Sequence, residues 1–388
     1  MAVDPRQVVA GFLTLSMFVM LGNMIKHDHF SPVTEELGLE ATGSELNTVK
    51  LDNNAEMNSV DTAGVEDLMD AIEEVKPCWT KPSPKNQPSN GFVTFSLTMG
   101  PEYHISQITD AVVVARYLGA TLVLPDIRGN ELGNKRKFQD MYNVDKFVRS
   151  LDGVVEVIDE IPDEVSAKKP AVIRVPNRVT ESFITDTIQP IFQKNKYLRL
   201  AVIFSSVSLR PKETSNKDLD ATACLAMFSG LELKHEYSEV ARKMLDRLQE
   251  LSKKSDGKVL AIDLRTDSLE KKSCKTTRGA RRKGCYNPDE VLAFLRSDDI
   301  MPAEDKGEFL KSSNADLARA LDLEICSQSD VFIPAVAGLF YGHVTGKRIA
   351  SGRTQIIVPS QSSTSTHASD FISTYISNKN HLAYSCYC

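Results

Sequence analysis

No Cys-x-x-Cys pair and no His/Cys cluster with zinc-ligand spacing occurs among the seven cysteines and seven histidines of this 388-residue chain. That argues against a bound metal, and none is expected. A basic excess is also missing. Lys and Arg number 46 against 52 Asp and Glu, a formal net charge of −6, which excludes a general nucleic-acid binder. Tryptophan occurs once, at Trp79, beside Cys78 in a proline-rich stretch, Pro77 to Pro88. There its ring either packs on the domain or stacks on a sugar.

Charge is wholly absent from Val8 to Ile25, VVAGFLTLSMFVMLGNMI, eighteen residues that can just span a bilayer. Arg6 precedes the run, Lys26 to His29 follow it, and no small-x-small cleavage site stands after Leu21. A signal anchor is expected, with a cleavable signal peptide as the rival reading. From His27 to about Lys76 the chain is rich in Asp and Glu and poor in aromatics, as a lumenal stem would be. A lumenal domain could carry disulfides, and Cys274 with Cys285 is the pair expected first; an odd cysteine count leaves one thiol over.

The globular part is organised around residues 91–127. Val93, Phe95 and Leu97 alternate with Thr94 and Ser96, predicting a strand over Phe92 to Leu97. Ile108, Ala111, Val112, Ala115 and Leu118 recur at helical spacing, Gly119 supplies a stop, and Ala120 to Leu124 reads as a buried strand. This is a βαβ unit. Its first loop, Thr98 to His104, lies at the carboxyl end of a strand and the amino end of a helix, where open α/β sheets bind ligands. Glu102 and His104 are acid/base candidates there and Gly100 a close-approach position; the alternative is a plain turn with solvated side chains.

Further apolar runs at Val154 to Ile158, Ala171 to Val175 and Leu200 to Phe204 alternate with helical stretches, indicating a largely parallel sheet. Arg128 to Lys137 reads as a polar loop. Helices are expected over Ala221 to Phe228 and Ser238 to Leu251. After Ser255-Asp-Gly257 a fresh strand starts at Lys258, and a domain boundary is placed there. Beyond it come a helix over Pro288 to Arg296, a strand over Ser329 to Pro334, a turn and helix over Gly338 to Gly346, and a last strand over Gln355 to Pro359.

DAVVVARYLGATLVLPDI, LAIDLR, CYNPDEVLAFLR and SDVFIPAVAGLFYGHVTGKRIA resemble the plant O-fucosyltransferase-like family of glycosyltransferases. The amino-terminal run, TFSLTMGPEYHISQITDAV, ACLAMF and NKNHLAYSCYC resemble its mannan synthesis-related subgroup. The resemblance implies a single-pass type II protein of the Golgi membrane with a GT-B-like α/β fold of two facing Rossmann-like domains. The implied layout is a cytoplasmic tail (1–7), an anchor (8–25), a stem (26–90), an acceptor-side domain (91–257) and a nucleotide-sugar domain (258–388). It also implies a GDP-sugar donor, no further cofactor, a mannan-type polysaccharide acceptor, and a mannan synthase as partner should the chain be an accessory protein.

On that resemblance Arg265, at the end of Asp263-Leu264-Arg265, would contact the donor diphosphate. Asp263, Asp267 and Gly338 are further candidate binding positions, and so is Ser329-Asp330 at the start of a strand, where the alternative is a plain cap on backbone groups. A fixed guanidinium suits the charge that grows on a leaving diphosphate; the alternative is a structural pairing of Arg265 with Asp263 or Asp267. Three departures from the family pattern stand out. Glu102 takes the place of an Asn, Gly338-Leu339-Phe340-Tyr341 replaces a Gly-Asn-Met-Ala segment, and a strand and helix are missing between Arg296 and Ile300.

Overall fold

The alternation of residues 92–98 produces the central strand of the molecule. The computed structural model describes residues 75–84, 88–128, 135–204, 208–211, 216–254, 257–263, 300–309, 315–334, 337–358 and 371–388. Strand β1 (Phe92–Thr98) buries Val93, Phe95 and Leu97 on one face. Helix α1 (Pro101–Leu118) lies on that face, with Ile108, Ala111, Val112 and Ala115 fully buried. Each large aliphatic side chain so buried stabilises the layer by about 1.5–3 kcal/mol. Gly119 ends the helix in the left-handed region (φ 61°), which glycine adopts without strain.

Strands β2 (Thr121–Val123), β3 (Asp126–Arg128), β4 (Lys135–Lys137), β5 (Val157–Ile158), β6 (Ala171–Pro176) and β7 (Tyr197–Ile203) complete a seven-stranded sheet. β1 pairs β7, which pairs β6; on its other side β1 pairs β2 near its start and β3 near its end. Every pairing is parallel except the β3–β4 hairpin. That hairpin corrects the polar-loop reading of Arg128 to Lys137: cross-strand hydrogen bonding needs no apolar residues where the strands face water.

Helices α2 (Val144–Leu151), α3 (Lys217–Phe228) and α4 (His235–Ser252) follow in chain order. Strands β8 (Leu260–Asp263) and β9 (Val331–Pro334) form a separate parallel pair, with helices α5 (Ala315–Gln328) and α6 (Leu339–Ala350) beside them. Leu317, Ala320, Leu321 and Ile325 of α5 join the same hydrophobic core as α1 and β1. The expected strand at 355–359 is reduced to bridges at Ile356 and Ile357.

Two disulfides, Cys78–Cys388 and Cys224–Cys386, tie the carboxyl terminus to residue 78 and to α3. Cys326 is a buried free thiol among the described residues; Cys274 and Cys285 lie outside them, as do Val8 to Ile25 and the helix expected over 288–296. Among the described residues no helix is long and apolar enough to cross a membrane.

Candidate functional site

The carboxyl end of β8, the amino ends of α1 and α6, and α5 supply the residues of the site. Between β1 and α1 the backbone turns sharply: Met99 adopts φ 66°, unusual for a residue with a Cβ, and is 41% exposed. The buried amide of Gln107 clamps this turn, its Oε1 accepting from the Thr98 N–H at 3.0 Å and its Nε2 donating to Thr98 Oγ1 at 2.7 Å. Gly100 caps the helix in extended backbone. A Cβ there would stand 2.6 Å from Glu102 Oε2, so a side chain at 100 would displace that carboxylate.

Glu102, in the first turn of α1, is 6% exposed. Its Oε1 lies 3.8 Å from Nε of Arg319 on α5, while Arg319 Nη1 lies 3.4 Å from Oδ1 of Asp263 at the carboxyl end of β8. The guanidinium carbon of Arg319 sits 3.6 Å from the ring centroid of Phe340, the second residue of α6, an ordinary cation–π approach. Glu102 Oε2 and Arg319 Nη2 are both buried with no hydrogen-bond partner. Gly338, which caps α6, holds φ 143°, and a Cβ there would meet nothing within 4 Å; backbone angle, not space, calls for glycine.

The expected site residues therefore separate. Glu102 and Asp263 meet through Arg319, Gly100 stands beside the Glu102 carboxylate, and Gly338 is two residues from Phe340. His104 instead points into the core, fully buried, its Nδ1 2.8 Å from the Tyr142 hydroxyl. Burial pushes its pKa down to about 3, helped by Arg136 and opposed by the Met99 backbone, so the ring is neutral. Ser329 and Asp330 lie at the amino end of β9, opposite the site. Ser329 Oγ is hydrogen-bonded to the Cys326 and Val331 carbonyls, and Asp330 Oδ2 accepts from the Val259 N–H at 2.7 Å. Around them Arg348, fully buried, donates to the carbonyls of Ser329, Asp330 and Gln355, which marks this as a structural corner. Arg265 and Asp267 lie outside the described residues.

Arg319 was not apparent from sequence because it sits in an alanine- and leucine-rich helix far from Glu102 along the chain. The one available signal was the single basic residue, between Ala318 and Ala320, of a helix whose other charges, Asp316, Asp322 and Glu324, are all acidic.

Fold and site together define an α/β protein that presents a buried carboxylate and an arginine at the carboxyl edge of parallel strands. The family model described as GDP-fucose protein O-fucosyltransferase matches residues 103–287. Protein MANNAN SYNTHESIS-RELATED 1 of Arabidopsis thaliana is 45% identical over 423 residues, and Protein MANNAN SYNTHESIS-RELATED of Trigonella foenum-graecum 38% over 427, each covering 100% of both chains. The chain belongs to the O-fucosyltransferase-like family, in its mannan synthesis-related branch. Both alignments are longer than these 388 residues, so the relatives carry residues that this chain lacks. A crystal structure of POFUT1 in complex with GDP matches 70% of this chain and 99% of its own at 13% identity and a TM-score of 0.40.

Proposed function

We propose that this protein is an inverting, metal-independent glycosyltransferase that takes a GDP-sugar and acts in mannan or glucomannan formation. The observation that carries the reading is the full-length relationship to the mannan synthesis-related proteins; the family description, which names GDP-fucose, supports the donor class. In this reading the acceptor-side and donor-side domains of a GT-B-like fold meet at the Glu102–Arg319–Asp263 cluster. Glu102 takes the proton of an acceptor hydroxyl as its oxygen attacks the anomeric carbon, and GDP leaves with the bonding pair. Arg265, two positions beyond Asp263 in the chain, neutralises the diphosphate.

The two disulfides support maturation in an oxidising lumen, in keeping with a Golgi type II protein anchored by residues 8–25. A second reading, a non-catalytic partner of the mannan synthase, is favoured by the residues that this chain lacks relative to its relatives. Full-length protein incubated with GDP-mannose, or with GDP-fucose, and a mannan acceptor should release GDP, and Arg265→Ala should slow that release by about 10²–10³-fold. Turnover untouched by Arg265→Ala would overturn the assigned donor chemistry; wild-type protein that co-purifies with the synthase without transferring sugar would establish the second reading.

A further inference from the structure

We infer that Glu102 and Arg319 form a seat for one neutral hydroxyl group of the acceptor. The inference rests on the reading of this cluster as the acceptor side of a transferase. A buried carboxylate and guanidinium free to close on each other form paired contacts near 2.7–2.9 Å; here Nε stands 3.8 Å from Oε1. Both partners are held from elsewhere. Arg319 is stacked on Phe340 and drawn toward Asp263, while Glu102 rides on the first turn of α1 behind the loop clamped by Gln107.

What the standoff leaves over is specific. Glu102 Oε2, an acceptor, and Arg319 Nη2, a donor, are buried and unpaired, and leaving such groups unpaired is costly. A phosphate or carboxylate would satisfy Nη2 but be repelled by Glu102 and Asp263. An ammonium would satisfy Oε2 but be repelled by Arg319. A hydroxyl donates to Oε2 and accepts from Nη2 with no charge to oppose, so the site selects an alcohol and aims its proton at the carboxylate. Arg319 is thus an acceptor-binding residue, distinct from the cation assigned to the diphosphate.

The test is calorimetric titration of the full-length protein with β-1,4-mannohexaose, with and without GDP, on wild type, Glu102→Gln, Arg319→Met and Arg319→Lys. Mannohexaose affinity should fall at least tenfold in Glu102→Gln and Arg319→Met, while GDP affinity changes less than twofold. Glu102→Gln should unfold near the wild-type temperature, whereas Arg319→Met, which leaves two buried carboxylates without their cation, should unfold earlier. Arg319→Lys, which keeps the charge but loses Nη2, should also weaken the oligosaccharide; it carries the test should Arg319→Met fail to fold. Oligosaccharide affinity unchanged in folded variants would mean that the pair holds water only, and wild-type protein that ignores mannohexaose would likewise overturn the inference. Failure to bind GDP, with the oligosaccharide results as expected, would instead count against the donor reading alone.

Discussion

At the scale of single residues, the direction in which a buried polar side chain points decides which group it meets. Glu102 and His104 stand two positions apart on one helix turn, and in sequence Glu102 is the first candidate for the acceptor base and His104 the second. The helix phase then leaves Glu102 facing Arg319 and sends His104 to the Tyr142 hydroxyl. His343 and His381 are buried in the same manner, and all three rings have pKa values lowered to about 3, with desolvation the leading cause. His381 accepts from the Ala383 N–H through Nδ1, so its Nε2 donates to the Gly342 carbonyl. An unfolded histidine titrates near 6.5, so between about pH 6.5 and 3 the unfolded chain binds more protons than the folded one. The stability tied to the neutral rings is complete above pH 6.5 and is lost as pH falls toward 3, by up to about 1.4 kcal/mol per pH unit for each ring. Chemical denaturation followed from pH 7.5 to 5 should show this decline, and His381→Gln should reduce its slope by about a third. A pH-independent midpoint would contradict the buried neutral rings.

Among the elements, those with a strong apolar period were legible in sequence and those formed by polar residues were not. The alternation at 92–98, the helical stripe from Ile108 to Leu118 and the stop at Gly119 correspond to observed elements, because burial on one face imposes the period directly. The β3–β4 hairpin, made of DIR and KRK, offers no such period; its Asp126 is held by Arg128 at 2.8 Å and by Ser96 at 2.5 Å. The carboxyl-terminal cysteines were legible as a possibility only, since pairing depends on the path that brings 386 and 388 back to 224 and 78. Lys76 and Cys388 exchange backbone hydrogen bonds at 3.0 and 2.9 Å, which continues the closure started by the bridges. Replacing Cys224 and Cys386 together by alanine should lower stability by about 2–4 kcal/mol and bring thermal unfolding down accordingly. Unfolding equal to wild type under non-reducing conditions would show that this bridge does not form.

For the whole molecule, the α/β class and the parallel sheet followed from alternating strand and helix patterns. The residues that complete the site come from four separate elements, α1, β8, α5 and α6, and no local pattern reports their meeting. Arg319 is the case in point: 217 positions from Glu102 in the chain, it becomes a site residue only because α5 packs into the core shared with α1. The proposed function requires this assembled edge to serve a donor and an acceptor, each with its own cation. Calorimetric titration of the full-length protein with GDP tests that claim most directly. Saturable one-to-one binding that Arg265→Ala weakens at least tenfold and Arg319→Met leaves within twofold is the predicted result. Absence of GDP binding by folded wild-type protein would contradict it.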